Sequence, residues 1–125
     1  GQFYSAQLSL DQGFPFSDIV ETHGGLIFIS GLVGTDESGE LVTGGLEAET
    51  HAIFRQMKTY LAHLNLDLSD VVKCLVMIDD IDQWGDFNGV YTQYFQTPYP
   101  ARSAMGADGL ALGASLELEY IAVRR

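Results

Sequence analysis

The 125-residue chain carries 6 Lys and Arg against 17 Asp and Glu, a formal net charge of −11, and 46% hydrophobic residues, enough for one domain with its own core. An acidic excess with no basic patch excludes the phosphate-neutralising surface of a nucleic-acid binder and the polybasic face that docks on anionic membranes. One cysteine, Cys74, leaves no intramolecular disulfide and allows a reducing, cytoplasmic setting.

No apolar run approaches transmembrane length, and the N-terminus has no signal-peptide pattern. Gly1 is not an initiator Met, so the start carries no weight. The stretch FYSAQLSL alternates loosely and predicts a first strand, which GFPF breaks. SDIVETHGGLIFISG reads as strand, turn, strand, with His23-Gly24-Gly25 in the turn and Leu26 to Ile29 in the strand. GTDESGELVTGG is a loop dense in turn residues.

From Leu46 the period becomes helical. Leu46, Ile53, Met57, Leu61 and Leu64 recur on one face, and Glu47 and Glu49 stand in the first turn, where the helix dipole favours acid. This predicts a helix over 46–64, surface positions for His51 and His63, and an end in NLDLSD. VVKCLVMI, Val71 to Ile78, is an apolar run that fits a strand inside a sheet. Asp82 is a plausible N-cap for a second helix whose aromatic face carries Trp84, Phe87, Tyr91, Tyr94 and Phe95. Pro98 and Pro100 stop it. RSAMGA is a short strand, and SLELEYIAV alternates cleanly from Leu116 to Val123. The order β-β-β-α-β-α-β-β predicts a single α+β domain over 1–125, with two helices on one face of a mixed sheet.

Few residues offer chemistry. Arg102 is the only basic residue between Lys73 and Arg124, and it follows Pro100 among small residues. Either it makes a surface ion pair, or it is presented as a planar fork for a ligand carboxylate. Glu117 and Glu119 share one face of the last strand, where they point to solvent or are partly buried beside a partner. Ser30 and Gly31 end an apolar strand, as an ordinary turn or as a ligand-contacting strand end. Asn88 sits mid-helix, a poor position for propensity, with an inward hydrogen bond or solvent as its options. The three histidines show no metal-ligand spacing, Cys74 reads as a core thiol, and no nucleophile elbow, P-loop or Rossmann fingerprint occurs.

Four segments in order carry a family resemblance: LIFISG, LSDVVKCLVMIDDIDQWGDFNGVYTQYF, the Pro-Ala-Arg-Ser of YPARSAMG, and the closing Glu-containing strand. Together they make the chain similar, over nearly its full length, to the reactive-intermediate deaminase (RidA/YjgF) family, also labelled endoribonuclease L-PSP. The resemblance implies a chorismate-mutase-like (YjgF-like) fold. It also implies a homotrimer whose sheets line a central barrel, with ligand clefts between neighbouring subunits. The implied activity is hydrolysis of 2-imino acids or their enamine tautomers to 2-oxo acids and ammonia, without metal or other cofactor.

By position, Arg102 would bind the substrate carboxylate and Glu117 would hold and activate the attacking water. Ser30 and Gly31 would line the pocket near the imine, and Asn88 would lie close by. Phe16 stands where the family often has Tyr, and Ala104 where it often has Cys or Thr, so two pocket positions have lost a polar group. A second reading is a non-catalytic module that senses a small carboxylate through Arg102 and has no need of Glu117. A ribonuclease fits poorly with a net charge of −11.

Overall fold

Alternation and helical period sort the chain into the elements of a computed structural model that describes residues 1–5, 10 and 12–125. The strands are β1 (Gln2–Tyr4), β2 (Ile19–Glu21), β3 (Leu26–Leu32), β4 (Val71–Ile78), β5 (Ala101–Gly106) and β6 (Leu116–Val123). Helix α1 (Gly45–His63) lies between β3 and β4, and helix α2 (Trp84–Tyr94) between β4 and β5. The strand expected in FYSAQLSL is seen as β1 at its start, and residues 6–9 of it lie outside the described residues.

The six strands form one mixed sheet in the order β1-β2-β3-β6-β4-β5. All pairs are antiparallel except β4–β5, whose parallel pairing follows from the crossover through α2. The last strand of the chain is therefore central, between β3 and β4. Its alternation has a direct cause. Leu116, Leu118, Tyr120 and Ala122 are buried on one face, while Glu117, Glu119, Ile121 and Val123 take the other.

The buried face carries the core. Ile27, Ile29 and Leu32 of β3 and Cys74, Val76 and Ile78 of β4 join the β6 residues. Both helices cover them, through Ile53, Phe54, Met57 and Leu61 of α1 and Phe87 and Tyr91 of α2. Each large side chain fully buried here contributes about 1.5–3 kcal/mol. The opposite face has no covering layer among the described residues. Leu26, Phe28 and Met105 remain about half exposed on it, beside Leu75, Met77 and Ile121.

Several local expectations shift. Glu49 belongs to the core side of α1 and is buried, where its Oε1 accepts the Ser115 N–H at 2.7 Å. His51 is half-buried, with Nδ1 2.6 Å from the Tyr94 hydroxyl. The capping aspartate before α2 is Asp80 rather than Asp82. It accepts the Asp82 N–H at 3.0 Å and opens a short 3-10 turn, Ile81–Gln83, that feeds into the helix. The turn needs its own cap, which moves the acidic residue two positions upstream.

Candidate functional site

Two half-sites emerge, one on each face of the sheet. The first is built around Glu117 on the open face. Its neighbour β3 carries an irregularity between Ile29 and Leu32, where three residue steps on β3 oppose two on β6. That bulge turns Ser30 and Gly31 out of the regular ladder. The Ser30 N–H donates to the Asp18 carbonyl at 3.0 Å, and its hydroxyl donates to the Ser17 carbonyl at 2.7 Å. These bonds fasten the segment after Phe16 to the strand end. Phe16 is half exposed and stacks on Phe14, with centroids 5.5 Å apart and planes 9° from parallel.

Gly31 lies directly beside Glu117. A Cβ at Gly31 would stand 2.9 Å from Glu117 Cδ and closer still to Oε2. The carboxylate thus lies over a backbone that only glycine leaves open. Desolvation raises the Glu117 pKa above the ordinary glutamate value of 4.5, and the Glu119 carboxylate two residues on adds to the rise. Glu119 itself is exposed on the same face.

The second half-site is built around Arg102 on the helix-facing side of β5. In the parallel β4–β5 ladder Arg102 is level with Cys74, which is fully buried beneath the helices. The guanidinium carbon lies 4.6 Å from the Trp84 ring centroid, 4.6 Å from that of Tyr91 and 5.8 Å from that of Phe87. Among the described residues no carboxylate pairs with it and no polar group accepts its N–H bonds. The C-terminal arginines differ. Arg124 Nε is 2.7 Å from Glu21, and Arg125 Nε is 3.9 Å from Asp70. In so acidic a chain, an arginine held on ring faces with its donor edge unclaimed is suited to an anionic ligand.

Asn88 is half-buried on α2, one residue after Phe87, and its side chain makes no hydrogen bond among the described residues. Ala104 is exposed on β5 with the same parity as Arg102. Ser30, Gly31 and Glu117 therefore come together in one chain, and Arg102, Asn88 and Ala104 belong to the region of α2 and β5. The two groups do not meet within one chain, because Arg102 and Glu117 project from opposite faces of the sheet. A cleft of about 710 Å³ beside Tyr60 and His63 and a hollow of about 370 Å³ on the open sheet face touch neither residue.

Trp84, Phe87 and Tyr91 were visible in the sequence as a helical stripe, but nothing there assigned Arg102 to it. The available signal was the 84, 87, 91 spacing together with the only basic residue between Lys73 and Arg124. Burial pushes the Cys74 thiol up to about 12, which makes it a core thiol rather than a nucleophile. Among the described residues no group of His, Cys, Asp and Glu could hold a metal ion, and no helix is long and apolar enough to cross a membrane.

Comparison with known proteins adds a lineage to this geometry. The family pattern described as Endoribonuclease L-PSP matches residues 7–124. The human protein named 2-iminobutanoate/2-iminopropanoate deaminase is 36% identical over 99 residues, 78% of this chain and 72% of its own. The mouse protein of the same name is 37% identical over 111 residues, 88% of this chain and 82% of its own. The crystal structure of RidA from the Antarctic bacterium Psychrobacter sp. superposes with a TM-score of 0.83 at 32% identity, covering 88% of this chain and 89% of that one.

Proposed function

Because the chain belongs to the Endoribonuclease L-PSP family, and on that premise, we propose that it hydrolyses reactive 2-imino acids, or their enamine tautomers, to 2-oxo acids and ammonia. The observation that carries the reading is the Arg102 guanidinium, fixed on the rings of Trp84 and Tyr91 with no carboxylate of the described residues on it. A 2-imino acid has one carboxylate, and a planar fork can hold it at two points. Relatives named as imine deaminases support the same chemistry.

The reaction needs no redox partner. Water oxygen bonds to C2 as Glu117 takes a water proton and the C=N π pair moves to nitrogen. Glu117 returns that proton to the nitrogen, the new hydroxyl gives up its own proton as the C–N bond breaks, and the 2-oxo acid and ammonia form with the carboxylate regenerated. Desolvation raises the Glu117 pKa, and a carboxylate with a raised pKa is a stronger base than an ordinary one. Ser30 and Gly31 would border the imine, and Asn88, Phe16 and Ala104 would complete the wall. With Phe16 and Ala104 the wall carries fewer polar groups than the usual family pocket.

Since Arg102 and Glu117 face opposite ways in one subunit, the proposed site takes Arg102 from one copy and Glu117 from the next. A homotrimer packed through the apolar open sheet face would supply that arrangement. The chain has 6 basic residues, and two of them, Arg124 and Arg125, lie against acidic partners, so the endoribonuclease label finds no cationic groove here. The test is a coupled assay in which an amino-acid oxidase generates a panel of 2-imino acids. Ammonia release faster than spontaneous hydrolysis is expected. Tight binding of 2-oxo acids with no acceleration would favour the carboxylate-sensing module instead.

A further inference from the structure

Resting on that functional reading, we infer that Trp84 and Tyr91 form a clamp that positions the Arg102 guanidinium, and that Trp84 governs how tightly the carboxylate of a 2-oxo or 2-imino acid is held. The clamp is symmetric, with the guanidinium carbon 4.6 Å from each ring centroid and Phe87 further off at 5.8 Å. A cation within about 6 Å of a ring centroid is attracted by the negative ring face, most strongly by indole.

The strand itself gives Arg102 little support. β5 is an edge strand, and every residue on it except Arg102 is exposed. The side chain is therefore located by α2 and not by its own neighbours. Trp84 and Tyr91 are two helical turns apart on one face. Tyr91 is anchored in the core, where its ring lies 4.9 Å from Phe95 and 5.5 Å from Phe87, while Trp84 is only half-buried. Tyr91 thus forms the fixed wall and Trp84 the wall at the solvent side.

The physical consequence is pre-organisation. A long, unrestrained arginine loses rotamer freedom when it binds, whereas one already held on two rings loses less. The ring faces engage the cation, and the N–H donors stay available, since no described residue accepts from them. Trp84 and Tyr91 are positioning residues in this scheme, because they act through Arg102.

Trp84 is the only tryptophan, so its emission reports on the clamp in the unaltered protein. In a titration with 2-oxobutanoate, the Trp84 emission should change and saturate with the Kd found by calorimetry. Trp84→Ala should weaken 2-oxobutanoate binding about 10-fold, and Trp84→Phe, which keeps a ring face, should recover most of that loss. A filler role alone would lower the unfolding temperature and leave Kd unchanged. Calorimetric binding with no change in Trp84 emission, or unchanged affinity in folded Trp84→Ala, overturns the clamp and leaves the deaminase reading intact. If Trp84→Ala does not fold, the emission titration and the Trp84→Phe affinity decide. No 2-oxo acid binding by the unaltered protein overturns the clamp, and the deaminase reading falls with it only if ammonia release is also no faster than spontaneous hydrolysis.

Discussion

Gly31 and Glu117 are packed so closely that the glycine hydrogen occupies the only space available between the β3 backbone and the carboxylate. A Cβ at position 31 would fall 2.9 Å from Glu117 Cδ and 3.2 Å from Cγ. The obstructed group is the end of a flexible side chain, so the fold can accept a methyl by moving the carboxylate. Gly31→Ala should therefore keep its unfolding temperature within a few degrees and lose turnover. A displacement of about 1 Å in a catalytic group can cost on the order of 100-fold in rate. Full ammonia release from a folded Gly31→Ala protein would separate Glu117 from the chemistry.

The raised Glu117 pKa has two pH consequences. As the base, Glu117 must be ionised, so kcat/KM should rise with pH through a value above 4.5 and then level off. Glu119→Gln removes the like charge that contributes to the rise, so the acid limb should move to lower pH. Stability has the opposite sign. Between the unfolded and folded pKa values the folded chain binds more protons, so the Glu117 contribution is favourable at low pH and is lost as pH rises through that window. Glu21 runs the other way. The Arg124 hydrogen bond lowers its pKa, and its contribution is lost as pH falls. An acid limb that does not move in Glu119→Gln would mean that another group controls the rate.

Assembly is tested on the open sheet face. Phe28 is level with Ile121 on that face and about half exposed in one chain. Obligate interfaces commonly bury more than about 2,000 Å² and are apolar at their centre. Sedimentation at micromolar concentration should give a trimer, and Phe28→Asp should give a folded monomer without turnover, since it separates Arg102 from the neighbouring Glu117. A fully active monomer would remove the shared site.

Cys74 offers a control on the location of the chemistry. It is fully buried, and burial pushes its thiol up to about 12. Cys74→Ala should lower stability by about 1 kcal/mol, as small core deletions do. Its turnover should stay within about twofold, because the thiol is protonated throughout the working pH range. A folded Cys74→Ala protein that loses activity would place the reacting groups elsewhere.

What could be read from the sequence divides along local and long-range lines. The alternation of β6 and the helical stripe of α1 are local patterns, and the structure places Leu116, Leu118 and Tyr120 and Ile53, Met57 and Leu61 in the core accordingly. The lone Arg102 and the aromatic stripe of α2 were each legible alone. Their meeting was not, because it depends on the parallel register that sets Arg102 level with Cys74. The contact between Gly31 and Glu117 was hidden for the same reason. It arises from the β3 bulge, and one shifted residue decides which side chain faces which. Glu49 looked like a helix-dipole residue because its burial comes from a bond to Ser115, 66 positions away.

Arg102 and Glu117 should fail in different ways when altered. Arg102→Lys keeps a positive charge but loses the planar two-point fork and its fit between the Trp84 and Tyr91 rings. Loss of a charge-assisted hydrogen bond costs about 1.5–3 kcal/mol, so 2-oxobutanoate affinity should fall by roughly 10- to 150-fold. Turnover at saturating imine should fall less, because Glu117 and its water are untouched. Glu117→Gln keeps the size and removes the base. It should bind 2-oxobutanoate nearly as well as the unaltered protein, since recognition rests with the arginine. Its kcat should drop by about 100-fold or more, the usual scale of general-base catalysis. Calorimetry with 2-oxobutanoate, run beside the coupled ammonia assay on both variants, separates the two roles. Unchanged affinity in Arg102→Lys together with full turnover in Glu117→Gln would show that neither residue does the work proposed for it.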